Sequence, residues 1–575
     1  MKQTLLLYLL MLLPFAGFSQ IAFPSPGCDT GIFCNTSTTW NGTEWSNGEP
    51  AEDKDVIFAA DFTAGSTLEA CSVFVQNGAL VNFAGGSNAV VMHSVNVQDG
   101  SALIFESGCS LIQVESVQNS GTVTFKRNSS KVRKDDFTLW SSPVSGPQTL
   151  LEFSPETLVN RFYTYNTVDN IYNTIANPSA TTFTCAKGYL IRTSESHPEE
   201  PAIWEGEFTG VPNTGNVSMA MAYINANKAY NAVGNPYPSP ISVTRFLEAN
   251  TGVIDGTIWL WRKTNDADKS SYATVTRLGY QSNTSATDAI ENDVVADPFS
   301  VDEEGVINTG QGFIVKARNT GNLVFNNDMR MEVGSSLFFR TNQYVALSEP
   351  TTVEASRLWL NVANNSDGFA QTLIGYTEEG TLDYDNGLDG ESILDGGIVL
   401  YSIAAEKKLA IQARPEFTDA DEVQLGFKTQ SAGTFEFSLG SFDGLFEEGQ
   451  NIYLADNVTG SIHNLKNSNY SFTADAGIFE GRFKVIYSET LDTNVPVISE
   501  PELVLYQNNR QLAIQSPEII ESVVVYDLLG RIVYAQENIN TTGFTSAALT
   551  ATNQMVVVNI TFANNSVISK KVIIN

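Results

Sequence analysis

Three histidines in 575 residues leave little imidazole for catalysis or metal binding. His93, His197 and His463 are isolated in sequence, with no paired-His or His-x-Glu spacing. Basic residues are scarce as well: 32 Lys+Arg face 64 Asp+Glu, a formal net charge of −32. Nucleic acid and anionic lipid both call for clustered Lys/Arg, so neither is expected as a main partner. There is no Gly-x-Ser-x-Gly elbow, phosphate loop or dinucleotide fingerprint. The sequence therefore carries no catalytic motif. Charged residues make up only 17% of the chain, against roughly 25% in an ordinary soluble domain. Beyond the N-terminus no apolar run is long enough to cross a bilayer.

What is present points to a large exported β protein. The chain holds 43 Gly, 33 Phe and 20 Tyr and is 42% hydrophobic, too apolar for an acidic disordered chain. Its length implies several cores, because single cores stop growing near about 250–300 residues. Residues 1–20 read as a secretory signal peptide, with Lys2 ahead of an apolar run from Leu5 to Phe18 and small residues at Gly17 and Ser19.

Segments starting at Ser72, Ser94 and Ser116 repeat at a spacing of 22 residues. Each holds a short alternating strand, a turn with Gly, and a second strand ending in Phe83, Phe105 or Phe125. Such a period predicts coils of a parallel β-solenoid over 21–134, with the three phenylalanines stacked in its core. A meander sandwich would give the same spacing by chance. Residues 135–345 show a second self-similarity. Phe137 to Val144 echoes Tyr230 to Pro238, and Lys187 to Arg192 echoes Gln311 to Lys316, which predicts two related β units. Ser242 to Asn250, followed by Gly252, has cap-like ends and is expected to be a short helix. Residues 346–490 alternate as one antiparallel β-sandwich, and 491–500, with no periodicity, is the expected linker. The expected fold is all-β and multidomain: a parallel β-solenoid-like region, then β-sandwich domains, then a small C-terminal Ig-like β-sandwich.

The last segment, 501–575, holds two strand-like pairs. Val525-Tyr526-Asp527-Leu528-Leu529-Gly530-Arg531 sits at the bend of the first, and Lys570-Lys571-Val572-Ile573-Ile574 ends the second. These residues resemble the type A C-terminal sorting domain of bacterial type IX secretion cargo. The usual Gly-x-Tyr ahead of the penultimate strand is replaced by Asn553-Gln554-Met555. Trp40-Asn-Gly-Thr-Glu-Trp-Ser-Asn-Gly-Glu-Pro50 is similar to the opening of many such cargo proteins, where it would cap the solenoid. The resemblance implies a Gram-negative protein exported through the periplasm by the type IX machinery. It would then be secreted, or attached to surface lipopolysaccharide at the outer-membrane surface. The expected role is non-enzymatic, adhesive or surface-structural; the alternatives are a glycan-binding module and a carboxylate-dependent polysaccharide hydrolase.

Four further sets of residues merit weighing. Asp383, Asp385 and Asp389, with two glycines between Asp385 and Glu391, could wrap oxygens around Ca²⁺, although an Asx-rich turn is the plainer reading. Trp259 and Trp261 lie two apart and share one strand face; exposed they would stack on sugar rings, buried they are core. Among five cysteines, Cys28 with Cys34 and Cys71 with Cys109 are the expected disulfides, leaving Cys185 over. A glycosidase carboxylate pair cannot be picked out among 64 acids.

Overall fold

A computed structural model describes residues 34–261, 270–283, 297–300, 302–332, 353–365, 368–488, 503–508, 510–549, 554–563 and 567–574. The expected signal peptide, Cys28 and the expected linker 491–500 lie outside the described residues. About 53% of the described residues are strand and 4% helix, so the fold is all-β as expected. It divides into two compact units at Ser488/Glu489.

The first unit opens with the solenoid. Its strands are β1 (Thr36–Trp40), β2 (Lys54–Phe58), β3 (Phe62–Ala64), β4 (Leu68–Ala70), β5 (Ser72–Val75), β6 (Leu80–Phe83), β7 (Ala89–Val91), β8 (Val95–Val97), β9 (Ala102–Phe105), β10 (Leu111–Gln113) and β11 (Val123–Val132). They stack into three parallel faces: β1-β2-β5-β8, β3-β6-β9-β11 and β4-β7-β10. Three short strands per coil explain why the sequence alternates only briefly before each Gly turn. Phe83, Phe105 and Phe125 form the expected ladder, with ring centroids 4.7 Å apart at both steps and interplanar angles of 12° and 9°. At the N-terminal end Trp40 and Trp45, tilted against each other, close the core and pack edge-on against Phe58 and Phe62.

At the other end β11 pairs antiparallel with the long strand Ala202–Pro212, which carries one solenoid face into the middle region. There the two predicted units appear. Phe137–Trp140 pairs antiparallel with Tyr189–Arg192, and Tyr230–Gly234 pairs antiparallel with Gly312–Ala317. The two pairs interlock by exchange. Trp140 bridges Gln311 while its counterpart Val233 bridges Lys187. Likewise Ser141 N–H donates to Gly310 O and Gly234 N–H to Ala186 O, both at 2.9 Å. Even the backbone repeats: φ is +62° at Ala186 and +79° at Gly310. The close crossing requires glycine, since a Cβ on Gly188 would meet Val233 O at 2.8 Å and one on Gly312 would meet Leu139 Cγ at 2.7 Å. The predicted helix is Val243–Ala249, with Ser242 Oγ accepting Arg245 N–H at the N-cap.

From Ser356 to Ile486 the chain forms an eleven-stranded sheet. It folds over on itself: Phe472, near one end of the strand order, touches Phe483, near the other, at 4.7 Å, and both enter one core. One pairing departs from the antiparallel expectation, Leu373–Tyr376 running parallel to Ile411–Arg414. The second unit is a six-stranded sheet built on Gln511–Asp527, closed around its own core of Leu512, Ile514, Val523, Val525, Val558 and Ile560.

One disulfide joins Cys34 to Cys71. This replaces the expected Cys28–Cys34 and Cys71–Cys109 pairs. Cys71 lies at the corner between β4 and β5, whereas Cys109 lies at a different corner, between β9 and β10, where it is buried and unbonded to another cysteine. Cross-linking over a separation of 37 residues is worth about 4 kcal/mol by loop-closure entropy.

Candidate functional site

The acidic loop folds as a dock rather than a cation cage. Asp385 accepts Thr381 N–H at 2.6 Å and the Thr381 hydroxyl at 2.9 Å. The fully buried Asp389 accepts Asp385 N–H at 2.7 Å and Ala413 N–H at 2.6 Å. Asp383 stays exposed, and the three carboxylates do not gather their oxygens around one point. Burial pushes Asp389 up to about 7 against the pull of its two N–H donors. The loop seats the sandwich on the middle region: Gly256 N–H donates to Asn386 Oδ1, and the hydroxyls of Thr257 and Thr276 donate to Asp389 O and Leu388 O. Asp389→Asn would turn an amide NH₂ toward one of the two backbone donors. It is expected to cost about 1–3 kcal/mol in urea denaturation.

Beside the dock, Glu391 receives Lys316 at 2.5 Å and also bonds Lys407, while Asp255 lies 3.7 Å from the same Lys316. Burial raises Glu391, but the two lysines outweigh it and hold the carboxylate below its usual range. Asp255 is pushed up by burial despite Lys316. Two carboxylates neutralised by lysines in this way form an internal ion cluster. A cavity of about 530 Å³ lies elsewhere, lined by Glu354, Tyr376, Glu378, Glu379, Glu416 and Phe417.

Trp259 and Trp261 do share a face, but it is an inner one. Trp259 is 1% exposed and donates to Glu391 O at 3.3 Å; Trp261 is half-buried and donates to Phe137 O at 3.2 Å. Both pack in the core between the two middle-region sheets, with Leu139, Leu190 and Ile314. Of the two readings, this is the core one, because stacking on a sugar needs an open ring face.

The residues expected to form a sorting motif make a side-chain-closed turn. Asp527 Oδ1 accepts Leu529 N–H at 2.9 Å and Arg531 N–H at 3.0 Å, and Oδ2 accepts Arg531 Nε at 2.7 Å. The Arg531 N–H above all holds the Asp527 carboxyl below the usual range. Gly530 takes φ +78°, so two leucines can occupy a turn they do not favour. Leu528 and Leu529 are 67% and 80% exposed, Val525 is core and Tyr526 is half-buried. Lys570 and Lys571 lie on the strand Val567–Ile574, opposite Val558 and Val557.

One constellation escaped the sequence reading. His93 Nδ1 lies 3.4 Å from Cys34 Sγ and 3.7 Å from Cys71 Sγ. On its far side His93 Nε2 lies 3.3 Å from Glu115 Oε2. The signal was there: Cys71, His93 and Glu115 each stand one position before a repeat, 22 residues apart. The solenoid register therefore stacks them along one corner. His197 bonds the backbone carbonyls of Val132 and Ala202 at 2.8 and 3.2 Å, and His463 bonds the carbonyl and hydroxyl of Ser468 at 2.8 and 3.1 Å.

An all-β protein with an N-terminal solenoid and a small separate C-terminal unit is thus defined. Residues 33–487 match the model of a family described as a domain of unknown function, DUF8693, and the chain belongs to that family. Residues 491–574 match a second domain of unknown function, DUF8694. No curated protein matches the sequence. Among solved structures, similarity is found to a beta-glucuronidase of an uncultured Clostridium sp., at 8% identity over 40% of this chain and 46% of that one, with a TM-score of 0.14. A polysaccharide lyase aligns at 7% identity over 39% of this chain and 40% of its own, with a TM-score of 0.12. PorZ of Porphyromonas gingivalis, a surface component of the type-IX secretion system, aligns at 9% identity over 72% of this chain and 68% of its own, with a TM-score of 0.12. The chain spans less than half the length of the first two, and such TM-scores are too low to transfer fold or activity.

Proposed function

We propose that the protein is a non-enzymatic cell-surface or secreted protein, adhesive or structural, delivered by type IX secretion through residues 501–575. The observation that carries this reading is the exposed Asp527–Arg531 turn, which presents Leu528 and Leu529 on a unit folded around its own core. An export tag must be legible to its machinery independently of the cargo, and a self-contained unit with a rigid apolar tip meets that need. The first unit supports a structural role: Trp140 and Trp259 are buried, its other tryptophans are partly buried and its ion clusters are neutralised, while its surface acids keep a large β protein soluble and blunt strand edges. Association with anionic lipopolysaccharide would have to be covalent or cation-bridged, since a charge of −32 repels it.

Deletion of residues 501–575 tests the proposal in a host with the secretion system. Loss of surface-accessible protein, with the remainder retained in the periplasm, is expected. Unchanged display would overturn the assignment.

A further inference from the structure

We propose that the solenoid corner formed by Cys34, Cys71 and His93 is a redox-gated site for a soft divalent cation of the zinc class, closed as the disulfide and open as the dithiol. In tetrahedral zinc coordination, bonds of about 2.3 Å to sulfur and 2.0–2.1 Å to nitrogen place a ligand nitrogen about 3.6 Å from each ligand sulfur, and the sulfurs about 3.8 Å apart. His93 Nδ1 already stands 3.4 Å from Cys34 Sγ and 3.7 Å from Cys71 Sγ. Two of the three edges of the coordination triangle are therefore preset. Only the sulfur–sulfur edge must lengthen, which breaking the disulfide permits. These ligand atoms form the one group with metal-binding spacing among the described residues.

The surroundings suit the assignment. Glu115 Oε2, at 3.3 Å from His93 Nε2, can take the second ring N–H, which fixes the tautomer that leaves Nδ1 free as a ligand. Cys71 and His93 are held by the coil itself, His93 N–H donating to Cys71 O at 2.7 Å. Cys71 is fully buried while Cys34 and His93 are half-buried, so one side of the site faces outward and leaves the fourth position to water. Two thiolates and a neutral imidazole balance the charge of one divalent ion.

Opening the site balances with a thiol reductant: the Cys34–Cys71 bond accepts two electrons and two protons from two R–SH, giving two cysteine thiols and R–S–S–R. Metal binding then releases both thiol protons. Reoxidation by a disulfide R–S–S–R, which takes the two electrons and two protons and leaves as two R–SH, re-forms the Cys34–Cys71 bond, removes both sulfur ligands and expels the ion.

The full chain, reduced with a phosphine under anaerobic conditions and titrated with Co²⁺ alone, tests this. One equivalent is expected to give a thiolate-to-cobalt charge-transfer band and the visible bands of tetrahedral cobalt, both abolished by Zn²⁺. The oxidised chain, whose disulfide is intact, should show neither. Glu115→Gln should weaken binding about 10–100-fold while keeping the spectrum. Cys34→Ser and His93→Gln should each shift or remove the charge-transfer band, with circular dichroism confirming that the β fold persists. Absence of the band in the reduced wild-type chain overturns the proposal, whether or not the fold survives reduction. An unaltered band in Cys34→Ser overturns it equally, by assigning the cobalt to the other cysteines.

Discussion

Phe105→Ala is expected to remove about 3–5 kcal/mol of stability from the first unit. Phe105 is 1% exposed and stacked at 4.7 Å on both sides, by Phe83 below and Phe125 above. A solenoid coil contacts only its neighbours, so a hole in the middle coil cannot be filled by side chains from elsewhere. The ladder would be cut into two unsupported halves. Phe83→Ala lies one coil nearer the Trp40 cap and should cost somewhat less, since only one stacking step is lost. Denaturant titration followed by tryptophan fluorescence measures both; equal and small losses would mean that the ladder is not the solenoid's main support.

Asp456→Ala is expected to cost a similar amount, about 3–5 kcal/mol, by a different route. The Asp456 carboxylate is fully buried and receives Arg482 Nε at 3.1 Å and Nη2 at 2.9 Å, the Tyr470 hydroxyl at 3.0 Å and Val458 N–H at 2.9 Å. The Arg482 guanidinium lies over the rings of Phe472 and Phe483, 4.9 and 4.7 Å from their centroids. Removing the carboxylate strands a buried cation in that aromatic setting. Burial alone would raise the Asp456 carboxyl, but Arg482, the Val458 N–H and Tyr470 hold it below its usual range. The native state therefore binds its proton less readily than the unfolded chain does. Its stabilisation is complete above the unfolded value of about 3.9 and is lost as pH falls through the folded value. Thermal unfolding from pH 7 down to pH 3 should show the wild type losing stability faster than Asp456→Ala over the lowest pH unit.

Features governed by local periodicity were readable from the sequence. The repeat indicated which phenylalanines stack, each ending the second strand of its segment, 22 residues from Phe83 to Phe105 and 20 from Phe105 to Phe125, because in a parallel solenoid equivalent positions must lie above one another. Ser242 and Asn250 bounded the helix, and Asp527 with Gly530 marked a tight turn, since each supplies a hydrogen bond or a backbone conformation that the chain needs locally. Long-range facts were not readable in this way. Strand parity put Trp259 and Trp261 on one face but could not say that a second sheet covers it. Proximity in sequence favoured Cys28 for Cys34, yet the corner that Cys34 joins is set by how β1 pairs with β2 and β2 with β5. His93 looked isolated because its neighbours lie one coil away, and a linear scan for metal spacing does not step by 22. The acidic loop was legible as Asx-rich, but its use as a dock depends on Gly256, far away in the chain.

The interlocked pairs of the middle region carry one further consequence. Trp140 with Gln311 and Val233 with Lys187 are related as residues i and j are across the interface of a two-fold dimer. The region thus has, within one chain, the reciprocal pairing of a two-fold dimer. Joining fixes the effective concentration of each half around the other, so their association no longer depends on how dilute the protein becomes.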